Sequence, residues 1–186
     1  MAQTRPHPVL IAGLSLTVTL LSALAVQARR PAAPPASPRS SPPAPPALAA
    51  AADQPPQQLP LEAQWCLPDG ACIALEVADE PREQAMGLQL RGPLPRLRGM
   101  WFPFRPAQTL RFWMHRTPEP LDMLFLREGR VIAIEAGAAP CPHLPCRSYG
   151  PDEAADGVVE LAAGEAARLG ITVGSQALIR PIAPGR

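Results

Sequence analysis

The sequence predicts an α+β fold that is mainly β: a small mixed β-barrel-like sheet with two short helices. Three observations lead there. Apolar and polar residues alternate on both sides of Pro68-Asp69-Gly70, which is the mark of a hairpin. The stretch from Gly99 to Leu126 gathers two of the three tryptophans and all four phenylalanines of a chain that is only 4% aromatic, at strand spacing. Helical punctuation bounds only two segments, and both are short.

The chain begins with Arg5 among Met1 to Pro8 and no acidic residue there. The uncharged apolar run Val9 to Val26 follows, and Val26-Gln27-Ala28 offers a small-residue exit before Arg29-Arg30. A positive start, an apolar middle and a small-residue exit make residues 1–28 a secretory signal peptide. The run is also nearly long enough to stay as an N-terminal membrane anchor. In either case the remainder is expected to be exported, to the periplasm or outside the cell. Residues 29–58 hold ten of the 27 prolines among Ala, Ser and Gln, with Leu48 the only bulky apolar residue. Such a segment buries too little to offset its ordering entropy and reads as an extended tether.

Residues 59–184 are the size of one domain. All 17 basic residues of the chain are arginine, and the domain is mildly acidic, which argues against nucleic-acid binding. A monomer is expected.

In the opening hairpin, Leu61, Ala63 and Trp65 share one face, as do Ile73, Leu75 and Val77. A three-residue Pro-Asp-Gly loop suits a type I turn closed by a left-handed Gly. Pairing Leu67 with Ala71 sets Trp65 opposite Ile73 and Ala63 opposite Leu75. The same register sets Cys66 opposite Cys72 on the other face. In an oxidising compartment that is a candidate disulfide, worth about 2–3 kcal/mol on the chain-entropy model. Asp79 is a suitable N-cap, Pro81 fits the first turn, and Arg82 to Leu90 continues as a helix ended near Arg91-Gly92-Pro93.

Arginines then accumulate, from Arg82 and Arg91 through Arg96, Arg98, Arg105 and Arg111 to Arg116, against the single acid Glu83. Guanidinium groups suit carboxylate or phosphate, but a solvated surface is the favoured reading. Three strands are expected next, over Met100–Phe102, Leu110–Met114 and Asp122–Arg127. The third is apolar on both faces, as in a central strand. Glu128-Gly129 turns the chain into a fourth strand, Arg130–Ala136. Farther on, Val158–Leu161 reads as a strand, Ala163–Leu169 as a helix ended by Gly170, and Gln176–Ile182 as an edge or barrel-closing strand. No chemistry is expected of this last segment.

Several of these pieces keep a recognisable order and spacing. They are Gly87-Leu88 with Arg91, Gly99-Met100 with Phe102 and Phe104, Phe112-Trp113-Met114, Thr117, Pro120-Leu121-Asp122, and Val159-Glu160-Leu161 with Gly164. The chain therefore resembles the domain of unknown function 192 family, filed as uncharacterised secreted or membrane-associated proteins. It departs from that family's common Lys-Asn at His115-Arg116. The resemblance implies a small β-rich domain with short helices and no established activity.

For function, the polar groups around the proline bend are the candidates: Trp113, His115, Arg116, Thr117 and Asp122, with Arg91. They suggest a non-catalytic binding site for a small polar or anionic envelope ligand. His115 beside Asp122 would fit general-base chemistry. No nucleophile accompanies them beyond Thr109 and Thr117, and no G-x-S-x-G elbow occurs, so no catalytic residue is assigned. In the loop Pro140-Cys141-Pro142-His143-Leu144-Pro145-Cys146, a Cys141–Cys146 disulfide is favoured over a metal site with His143 or a redox pair. The methionines Met86, Met100, Met114 and Met123 read as core filling rather than a copper set. No cofactor or metal is assigned. The alternatives are a hydrolase or metal-dependent enzyme built on His115/Asp122 or the Cys141-His143-Cys146 loop, and a protein-interaction module of the envelope.

Overall fold

Strong alternation and a tight turn give the chain a hairpin as its first ordered unit, and the rest of the sheet grows beside it. The computed structural model describes residues 55–182. The signal or anchor segment 1–28 and most of the tether 29–58 lie outside them. Nine strands and two helices follow one another: β1 (Leu61–Cys66), β2 (Cys72–Val77), α1 (Pro81–Met86), β3 (Arg98–Gln108), β4 (Phe112–Trp113), β5 (Leu121–Arg127), β6 (Arg130–Ala138), β7 (Ser148–Tyr149), β8 (Ala155–Ala162), α2 (Glu165–Arg168) and β9 (Ile179–Pro181). Seven strands form one mixed sheet in the order β6-β5-β8-β3-β2-β1-β9, while β4 pairs only with β7.

The expected hairpin register holds. Trp65 pairs with Ile73, Ala63 with Leu75 and Cys66 with Cys72, and the Leu67 N–H bonds the Ala71 carbonyl at 2.8 Å. Strand β2 then runs parallel to β3, and the remaining ladders of the sheet are antiparallel. Strand β5 is buried from Leu121 to Leu126, as a run apolar on both faces requires.

The barrel-like expectation is corrected: the sheet is open. Its edges are β6 and β9, and β9 is only three residues long, spent on β1. Contact back to β6 is confined to residues 174–177, through Gly174 N–H to the Val131 carbonyl, Val131 N–H to Ser175 and Ala177 N–H to Gly129. A few bonds from a loop do not make the continuous ladder that closure needs. The segment Leu110–Met114 yields only the two residues of β4, because its partner β7 is itself two residues long. Helix α1 starts at Pro81 with Glu80, not Asp79, as its N-cap, and the Glu80 N–H donates to the Glu83 carboxylate at 3.2 Å. It ends at Met86, where Gly87 takes a positive φ of 49° and its N–H returns to the Glu83 carbonyl.

Alternation along these strands divides the core in two. One face of the sheet carries Met100, Phe102, Met123, Phe125 and Val158, covered by Leu88, Met114 and Tyr149. The other carries Leu75, Leu124, Leu161 and Val159, packed with Trp65, Ala166 and Ile171. Strands β3 and β8 meet closely at Gly99, where a Cβ would lie 2.7 Å from the Glu160 carbonyl and from Leu161 Cδ2.

Candidate functional site

The proline bend after β4 does not gather all of the expected residues. Trp113 is 53% exposed and its ring lies 5.5 Å from that of His115. Thr117 is buried beside them, its hydroxyl turned to the His115 carbonyl at 3.5 Å. Arg116 takes a left-handed φ of 58°, with its N–H on the Cys141 carbonyl and its own carbonyl accepting Leu90 N–H. These backbone bonds tie the bend to the Cys141 loop on one side and to the turn after α1 on the other.

Asp122 goes elsewhere. It pairs with Leu161 across β8 and shares that residue's face of the sheet. There its Oδ1 accepts the Gly137 N–H at 2.9 Å and its Oδ2 the Ala166 N–H at 3.0 Å, at the start of α2. A buried carboxylate held by backbone donors, one at a helix start, clamps β5, β6 and α2 together. It cannot serve His115, which lies with the opposite face. Arg91 is also committed, with both Glu76 carboxylate oxygens at 2.7 Å from its Nη1.

The two cysteine pairs are disulfides, Cys66–Cys72 with Cα atoms 3.9 Å apart and Cys141–Cys146 at 5.8 Å. Their thiols are thus not available to join His143 on a metal. Two disulfides indicate a location away from the reducing cytoplasm. No helix among the described residues is long and apolar enough to cross a membrane.

The residue that reading the sequence missed is Glu160. It sits between Met100 and Met123 in the register of β3, β8 and β5, so its carboxyl points into the same face as those two buried methionines. It is 4% exposed. Among the described residues nothing donates a hydrogen bond to it and no cation pairs with it, and burial pushes its pKa up to about 8. The other buried glutamates are answered. Glu76 holds Arg91 and the Leu59 N–H, and Glu165 holds Arg168 and the Leu97 N–H. The Arg168 guanidinium, helped by Leu97, keeps the Glu165 carboxyl below its usual range despite burial.

Glu160 opens into a cavity of about 40 Å³. Phe102, Phe112, Trp113 and Thr117 line it from the sheet and the bend, and residues 84–89 cover it from the last turns around α1. Gly87 permits that cover through its positive φ of 49°, which turns the chain over the Phe102 ring. Phe112 stands edge-on to Phe102, with ring centres 5.2 Å apart. Trp113 and Thr117 thus belong to one concavity, centred on a carboxyl and not on His115 and Asp122. A wider groove of about 530 Å³ lies by Trp101, Arg105 and Arg127. There Asp156 is taken by the Glu128 N–H, and Arg127 by Glu128 and the Ala154 carbonyl.

Residues 66–179 match the family model described as Uncharacterized ACR, domain of unknown function 192. The chain belongs to this family. Its domain of unknown function 192 runs from the first hairpin to β9 and contains both disulfides, the bend and Glu160. Two solved structures are similar to it. A protein of unknown function from Novosphingobium aromaticivorans is 30% identical over 70% of this chain and 96% of its own, with a TM-score of 0.57. A protein from Sinorhizobium meliloti, described as a candidate transcription regulator, is 28% identical over 64% of this chain and 92% of its own, with a TM-score of 0.55. No curated protein matches the chain.

Proposed function

We propose that this is an exported, non-catalytic binding domain that receives one small polar group of its ligand over Glu160, with the body of the ligand resting on Trp113. The observation that carries this reading is a carboxyl, in a residue only 4% exposed, whose oxygens meet a small cavity and no donor among the described residues. A ligand group seated there would supply the hydrogen bonds that the protein does not. A cavity of about 40 Å³ admits a single functional group and no more. Export is supported by the two disulfides and by the apolar run Val9–Val26 ahead of a proline-rich tether.

Chemistry on the ligand is a weaker reading. The pair His115/Asp122 is divided between two faces of the sheet, and the cysteines of the His143 loop are joined to each other. The Sinorhizobium relative's description would suggest a nucleic-acid partner. Against it, arginines 91, 111, 127, 147 and 168 each have an acidic neighbour.

Thermal shift of the purified protein with a panel of simple probes (an alcohol, an amide, a carboxylate, an amine) tests the proposal. Stabilisation that is lost in both Glu160→Gln and Trp113→Ala supports it. Stabilisation that survives both substitutions moves binding elsewhere and overturns it.

A further inference from the structure

The cover of the Glu160 cavity is weakly rooted. No residue of α1 is fully buried, and within residues 84–89 only Gly87 and Leu88 are. A short helix without a buried side chain has little apolar burial to hold it down, which is the condition for local opening. Much of its attachment is polar. The Gln84 amide donates to the Pro103 carbonyl on β3 at 3.0 Å, and the Leu90 N–H to the Arg116 carbonyl in the bend at 2.8 Å. A further fastening comes from the tether. Gln57 spends its side-chain Nε2 on two carbonyls of the cover, Glu83 at 2.9 Å and Gly87 at 3.0 Å. These bonds join the last turn of α1 to the residue that carries the chain over Phe102.

Residues 55–59 have a fixed root and a lighter arm. At the root, Leu59 packs against the core cluster of Met100, Phe102 and Met123, on Glu160's side of the sheet. Its N–H donates to Glu76 Oε2 at 2.8 Å, and the same carboxylate takes Arg91, just past the cover, at 2.7 Å. The arm is Pro55-Pro56-Gln57, kept extended by its prolines. A hollow of about 400 Å³ lies between this arm and Glu80, Arg82, Glu83 and Met86 of α1 and its cap. The arm is therefore not close-packed on the helix, and the two Gln57 bonds carry a large share of its hold.

We propose that residues 55–59 are a strap over the Glu160 cavity: while Gln57 is docked, residues 84–89 are held down, and when it is released they lift and open the cavity. This goes beyond the binding reading, because it concerns access to Glu160 and requires no occupant. The strap is the end of the proline-rich tether, so the tether enters the fold at the cover of the cavity. The coupling is reciprocal: whatever lifts residues 84–89 also loosens Gln57. The chemistry of position 57 follows. A glutamate there sets acceptors against two carbonyl oxygens and releases the strap, whereas a lysine restores donors at a helix C-terminus.

The test uses the full protein and reads two things. Amide exchange reports the cover through the Gly87, Gln89 and Leu90 N–H groups, which bond Glu83, Met86 and Arg116. Coupling of a water-soluble carbodiimide to Glu160, followed by mass spectrometry below about pH 8, where the carboxyl keeps its proton, reports access to the cavity. The reagent is larger than the cavity of about 40 Å³ and reaches Glu160 only when the cover lifts. The exposed Glu153 serves as the internal reference. Gln57→Glu is expected to speed both exchange and Glu160 labelling by about tenfold, with β8 amides still protected, and Gln57→Lys to stay near the wild type. Faster exchange with unchanged Glu160 labelling overturns the strap, since Gln57 would then only cap a helix. Unchanged exchange in Gln57→Glu overturns it too, as does equal loosening by lysine and glutamate. Should Gln57→Glu lose protection along β8 as well, Gln57→Ala, which removes the bonds without adding charge, is held to the same criteria. None of these outcomes bears on whether a ligand binds at Glu160.

Discussion

Asp122 and Glu160 lie on adjacent strands, one residue out of register, with Asp122 opposite Leu161 and Met123 opposite Glu160. Both carboxyls are buried, and the single-residue offset sends them to opposite faces of one sheet. Asp122 meets two backbone N–H groups and becomes a clamp. Glu160 meets a small cavity and no donor, and its pKa climbs to about 8. Burial is thus shared by the two carboxyls, and what separates structure from candidate function is whether donors came with it.

The comparison breaks most visibly at Asp122. Asp122→Ala leaves the Gly137 and Ala166 N–H groups buried and unanswered, at about 3 kcal/mol or more of unfolding free energy. Asp122→Asn keeps one acceptor and should lose roughly half of that. Urea denaturation measures both, and a loss below about 1 kcal/mol for the alanine variant would show that the clamp does not hold the sheet to α2.

Glu160 should behave in the opposite sense. Its folded pKa is raised from 4.5 to about 8, so the folded protein keeps a proton that the unfolded chain gives up. Stability that is complete below about pH 4.5 should therefore fall as pH rises to about 8, and level off beyond. Glu160→Gln removes that slope and should exceed the wild type by up to about 5 kcal/mol at the alkaline end, because an amide needs no ionisation. Denaturant midpoints on either side of the interval decide it. A wild type without slope would mean that the carboxyl is answered in solution by something other than a ligand.

Much of this arrangement was legible in the chain. The Pro-Asp-Gly loop dictated the hairpin register and with it Cys66 opposite Cys72, since a three-residue turn leaves one pairing. The apolar run Met123–Leu126 announced a central strand. Asp122 stood out as a lone acid at the head of that run, but its face was not readable, because Ala166, which answers it, lies 44 residues on. Glu160 was passed over although its signal was present. An acid between Val158-Val159 and Leu161 interrupts a run apolar on both faces, and a central strand carries it into the interior. The cavity itself was out of reach, since it exists only where residues 84–89 fold over Phe102 and the bend. Closure into a barrel failed for a similar reason: strand length at β9 is settled by its partner, not by its own alternation.

The passage of β3 beside Glu160 sharpens the comparison further. Gly99 gives β3 its close approach to β8, with no room for a Cβ against the Glu160 carbonyl and Leu161. Gly99→Ala should cost about 2 kcal/mol as the strands shift apart, and should loosen the cavity without touching the Asp122 clamp. Amide exchange would then quicken along β8 near Glu160 while the Ala166 amide keeps its protection.

Trp113 supplies the smallest effect on folding and the cleanest separation of the two carboxyl environments. With its side chain more than half exposed, Trp113→Ala should change unfolding free energy by no more than about 0.5 kcal/mol. The same substitution removes the aromatic rim of the Glu160 cavity and should weaken ligand binding there several-fold, leaving the steep pH dependence of stability in place because Glu160 stays buried by Met100 and Met123. Flattening of the stability profile in this variant would mean that Trp113, and not the sheet, is what keeps water from the carboxyl. The rim would then be a cover over the core, and the division between a clamped Asp122 and a waiting Glu160 would be one of packing alone.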